Sequence, residues 1–142
     1  MADIIEEVRV AIRRRVADKI IDQKLYQRQW MDDAPIDADV YIRETIMEEV
    51  REEIFQKGIK STALVQFDIF VRRGAFPNPL AIASDYAGRI FAEFNPQNPD
   101  KVYLQLSTGQ NAHVEIPPYQ DAPAQEEEWF HLPVLFSVGV FI

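Results

Sequence analysis

The chain has no cysteine. That excludes a disulfide framework and a thiolate metal centre, and it fits assembly in a reducing cytosol. Glycine is scarce, with five residues in 142, and none is clustered as a phosphate-cradling loop requires. Histidine occurs twice. No apolar run approaches the ~18 residues that a membrane-crossing helix needs. Basic residues are outnumbered 15 to 23 by acids, for a net charge of −8. Nucleic-acid binders neutralise phosphates with clustered Lys and Arg, so this balance disfavours general phosphate binding. The opening residues, MADIIEEVRV, carry acids early and no small-residue cleavage site, so no secretory signal is expected. The length suits one domain, residues 1–142, with one core.

What is present reads as alternating helix and strand signals. Over residues 3–21, Ile4, Val8, Ile12, Val16 and Ile20 recur every four, which predicts an amphipathic helix. Asp3 and Glu6 have capping-box spacing. Arg13, Arg14 and Arg15 fall where cations complement the helix C-terminus. Residues 22–38 are irregular, with Asp32, Asp33, Pro35 and Asp37 breaking any period, and Trp30 is expected to anchor them. No calcium-loop spacing occurs there.

The stretch VYIRETIMEEVREEIFQKG is ambiguous. Ile42, Ile46, Val50 and Ile54 form a helical stripe, yet they also share one strand face. STALVQFDIFVRRG alternates cleanly and reads as a strand closed by Gly74. Asn78 and Pro79 open a second helix, in which Leu80, Ala83, Ala87, Ile90 and Phe94 form the stripe. The prolines of NPQNPD end it. KVYLQL and AHVEI are short strands around STGQN, and a last strand runs from Trp129 to Ile142 with Pro133 near its start. The expected fold is α+β: a mostly antiparallel sheet of four or five strands, with an N-terminal and a central helix packed on one face.

A search for chemistry finds little. There is no cysteine nucleophile and no G-x-S-x-G. A zinc site would need both His113 and His131 with a carboxylate such as Glu115, and His113 and Glu115 share a strand face. The commoner role for such residues is a partly exposed histidine on a sheet. Glu126, Glu127 and Glu128 read as a solvated run guarding an aggregation-prone strand.

One ordered set of motifs remains. It runs DVYIRETI, ALVQFDIFVRRG, NPLAIASDYAGRIFAEF, HVEIPP and EEWFHLPVLFSV. This order resembles the tail terminator proteins of tailed bacteriophages, a family once catalogued only as a phage-related domain of unknown function. The matching residues include Trp30, the Tyr41–Arg43 stretch, the Gln66–Phe70 stretch with Gly74, Phe94, and Trp129, Phe130, Pro133 and Val134. The resemblance spans nearly the whole chain. It implies a strand at DVYIRETI, joined through a long hairpin to ALVQFDIFV.

The resemblance also implies a structural virion protein and no enzyme. Such proteins form a hexameric ring that caps the tail tube, stops its polymerisation and offers the surface that docks the head. The implied partners are further copies of the chain, the tail tube protein and a head-completion or connector protein. Genomic DNA passes through without specific binding, and no cofactor, metal or membrane is involved. The implied setting is the tail or neck of a virion assembled in the host cytoplasm. A ring needs two different patches per subunit. Phe136, Val138, Val140, Phe141 and Ile142 are the expected interface residues, the rival reading being that their strand is central in the subunit's own sheet. Glu44, Glu48 and Glu49 are the expected lumen residues, where acids would repel phosphates. Two other readings stay open: a head-tail connector with a different subunit count, and a small metal-dependent enzyme built on His113 and His131.

Overall fold

The computed structural model describes residues 4–17, 21, 26–27, 38–54, 58–95, 103–106, 109, 111–126 and 128–141. Trp30, the Asp32–Asp37 stretch and Ile142 lie outside them. Helix α1 spans Ile4–Val16 and helix α2 spans Pro79–Phe94. The strands are β1 (Tyr26–Gln27), β2 (Val40–Ile54), β3 (Gly58–Arg72), β4 (Tyr103–Gln105), β5 (Asn111–Gln120), β6 (Ala124–Gln125) and β7 (Trp129–Phe141). They form one sheet in the order β1-β2-β3-β7-β5-β4, with β6 also on β7. Every pairing is antiparallel except β1 with β2. The fold is α+β. The expected strands are β2, β3, β5 and β7 with short β4, and two-residue β1 and β6 are additions.

The ambiguous stretch is strand β2. It forms a long hairpin with β3, from Val40↔Val71 to Ile54↔Gly58, with a bulge between Glu48 and Val50. A four-residue spacing is an even number, so up to the bulge the helical stripe is also one face of a strand, as Ile42 and Ile46 show. Tertiary pairing decides between the two, as it regularly overrides propensity.

One face of the sheet is apolar and covered by both helices. Ile42, Ile69 and Leu132 lie side by side across β2, β3 and β7, and Ile46, Val65 and Phe136 form another such row. α2 places Ala83, Ala87, Ile90 and Phe94 against this face. The two alanines bring its axis close to the strands, and Phe94 stacks on Phe136 with ring centroids 4.6 Å apart. The Asn78 side chain caps the helix, accepting a hydrogen bond from the Ala81 amide at 3.3 Å. Leu80 does not join the buried stripe as expected. It is 48% exposed at the start of the helix, one turn before the first buried residue, Ala83.

α1 ends at Val16, short of the expected residue 21. Arg13, Arg14 and Arg15 form its last turn, where cations offset the exposed carbonyls. Ile21 folds back to donate its amide to the Val16 carbonyl at 3.1 Å, and its side chain is buried in the core.

Candidate functional site

Of the expected interface and lumen residues, the structure describes the side chains of Phe136, Val138, Val140 and Glu44, and all four are buried within the subunit. Phe136, Val138 and Val140 lie on the helix-covered face of β7 and are buried within the subunit. β7 sits between β3 and β5, so its backbone is paired on both sides over most of its length. A central strand buries apolar residues whether or not a neighbour arrives. Phe141 pairs with Lys60 of β3 at the end of the ladder. Glu44 cannot line a lumen: it is 0% exposed, beneath α1, with its Oε1 3.7 Å from Arg9 Nε. Its strand parity places it on the same face as Ile42 and Ile46, where the even spacing of β2 directs it inward. Glu48 and Glu49 are in β2 at the bulge, and their side chains lie outside the described residues.

The opposite face of the sheet carries the polar and aromatic residues. Tyr41, Phe70 and His131 are neighbours across β2, β3 and β7. Their rings stack, with centroids 4.6 Å apart for Tyr41–Phe70 and 4.5 Å for Phe70–His131. Trp129 meets Tyr41 edge-on at 4.9 Å, and the Arg72 guanidinium lies over Trp129 at 4.4 Å. Arg43 sits over both Tyr41 and Phe70, 5.7 Å and 5.8 Å from their centroids. Such cation–ring contacts are favourable and stronger where water is excluded. Burial pushes the Tyr41 phenol above its usual range. Arg43 opposes that rise, and Glu126 and Asp68 add to it.

Two side-chain pairs include the histidines. His131 Nε2 lies 2.6 Å from Asp68 Oδ1, and Gln66 Nε2 donates to the same oxygen at 2.8 Å. The other ring nitrogen of His131 is 3.9 Å from Glu126. Both nitrogens therefore face carboxylates, which ties β3 to β7 and aims the ring at no nucleophile among the described residues. His113 Nε2 is 3.1 Å from Glu115 Oε1. The structure does not bring the two histidines together. His113 lies opposite Gly139, eight residues along β7 from His131, or about 26 Å. Among the described residues no group of three or more His, Asp or Glu is placed to hold a metal ion.

The aromatic cluster was not singled out as a unit in the sequence. Its signal is the alternation of Tyr41 with Arg43, of Gln66 with Asp68 and Phe70, and of Trp129 with His131. Each set occupies one strand face, but the register that joins the three sets is a tertiary fact.

No protein-family model matches the chain, and no curated protein does. The chain is similar in fold to a solved structure that carries no functional description. The TM-score is 0.72 at 18% identity, over 96% of this chain and 95% of that one. At that identity the likeness concerns the fold alone.

Proposed function

We propose that the chain is a phage tail terminator, a structural protein that closes into a ring on the tail tube and offers a docking surface to the head. One observation supports this reading best. Tyr41, Arg43, Gln66, Asp68, Phe70 and Trp129, which carry the resemblance from distant parts of the sequence, lie on one face of three paired strands. The other matched residues Ile42, Phe67, Ile69, Phe94, Phe130 and Val134 fill the core on the opposite side, as strand alternation requires. The acid excess of the chain is also compatible with DNA passing a ring without adhering to it.

Size-exclusion chromatography with light scattering, followed by negative-stain imaging, tests the reading. The expected result is a ring of six, formed alone or on addition of purified tail tubes, with capped tubes growing no longer. Rings of twelve would favour a head-tail connector. A monomer that ignores tail tubes would overturn the proposal.

A further inference from the structure

The cluster around Tyr41 shields itself with stacked rings, but the same face closer to the β2–β3 hairpin tip does not. Two cross-strand rows lie there. One is Met47–Leu64–Ser137–Ile116 and the other Thr45–Gln66–Leu135–Tyr119. Met47 is 48%, Ile116 52% and Tyr119 46% exposed. Among the described residues, three of the five exposed large apolar ones thus fall in two adjacent rows, where scattered placement would be ordinary. Within the first row the Ser137 hydroxyl is 1% exposed and lacks a hydrogen-bond partner among the described residues. Both helices pack on the other face, through the residues that form the core cluster. None of the eight side chains in these rows is charged, in a chain of net charge −8.

The far side of the subunit presents a second weakly charged surface. The outward side of α2 exposes Ala81, Ser84, Gly88 and Ala92. Its charged groups there, Asp85 and Arg89, are paired with each other at 2.7 Å. A side chain built at Gly88 would meet nothing within 4 Å. The subunit's own packing therefore gives no reason for a glycine in mid-helix, where it is unfavourable. α2 is about 24 Å long at 1.5 Å per residue. Four strands lie side by side over the seven residues Val134–Val140 of β7, about 19 by 23 Å. That is on the order of 440 Å², about half of the ~800 Å² per partner of a standard interface.

We propose that the uncovered sheet face is a head-to-tail interface whose occupant is a second copy of this chain, seated by the outer side of its α2. The two surfaces lie on opposite sides of one subunit, so each copy can bind two neighbours through different patches. Such heterologous contacts generate rings when the rotation closes. Small residues at Ala81, Gly88 and Ala92 let the helix lie close on Leu64 and Leu135, and the Met47 and Ile116 side chains flank it. This inference rests on the ring reading above and names the interface that would build it.

The absence of native cysteine makes the test direct. In a Met47→Cys, Gly88→Cys double variant, a short bis-maleimide should give a ladder of covalent oligomers, and each single variant should give none. Gly88→Arg should keep the fold and lower the assembled fraction at least tenfold. Dimers from Met47→Cys alone would mean face-to-face pairing and overturn the proposal. So would Gly88→Arg assembling normally, or Met47→Arg assembling normally while losing only tube binding. Rings without the Met47–Gly88 cross-link would sink this interface and leave the terminator reading standing. A cross-linked ladder from open chains that do not cap tubes would do the reverse. A wild-type monomer that ignores tail tubes, with no cross-link in the double variant in their presence, would overturn both.

Discussion

Arg9 of α1 reaches Glu44 of β2 beneath the helix, Nε to Oε1 at 3.7 Å, and also pairs with Glu6 of its own helix at 2.5 Å. Glu44 is a carboxylate on the helix-covered face, and its side chain is fully out of water. Taking a carboxylate out of water is costly, and its attraction to a partner offsets that cost only while the partner remains. The Arg9 guanidinium also approaches the Ile46 carbonyl at 3.4 Å. The pair fixes the position of α1 on the hairpin, where an all-apolar contact would allow sliding.

Removing one partner should therefore cost more than removing both. Arg9→Ala is expected to lower stability by about 3 kcal/mol, and Arg9→Leu with Glu44→Leu to stay within about 1 kcal/mol of wild type. Urea unfolding of the three proteins measures this. A double variant that loses as much stability as Arg9→Ala, or more, would contradict the buried-pair account.

Phe136 packs against Phe94 at 4.6 Å and Phe67 at 6.1 Å, in the centre of the core. Phe136→Ala is expected to cost about 3–5 kcal/mol, a large part of the roughly 5–15 kcal/mol that holds a domain. Circular dichroism melts should show an early or absent transition. A cooperatively folded monomer of wild-type stability that merely fails to assemble would return Phe136 to an interface.

Tyr41 predicts an alkaline weakness. Its folded phenol is raised above 10.0, chiefly by burial. An unfolded chain therefore releases the proton first, and the folded state holds more protons above pH ~10. The stabilisation is intact below that pH and is lost as pH rises through the folded value. Tyr41→Phe keeps the ring and removes the proton. Between pH 8 and 11, its unfolding free energy should fall less steeply than that of wild type. Parallel slopes would show that Tyr41 ionises as freely folded as unfolded.

Much of the fold is legible in the residues. Asn78 and Pro79 announce α2, Gly74 with its left-handed φ of 88° marks the turn after β3, and alternation marks β3 itself. Residues 40–54 were undecidable by period, since a spacing of four serves a helix and a strand equally. The place of β7 was illegible for a different reason. An apolar strand reads the same at a sheet margin as between two neighbours, and only its pairing with both β3 and β5 tells them apart. The same ignorance of register hid the candidate surface. Met47, Leu64, Ser137 and Ile116 are unremarkable one at a time, and they become a row only through pairing.

The insertion of β7 between β3 and β5 also sets an order of events during synthesis. Both flanking strands leave the ribosome before residues 129–141 do, and neither can pair with the other across the vacant slot. The nascent polypeptide must carry two open strand margins until the last insertion is made, a period when wrong partners are within reach. A ribosome stalled between Gln120 and Trp129 would release a product with most of the core residues and no way to close the sheet.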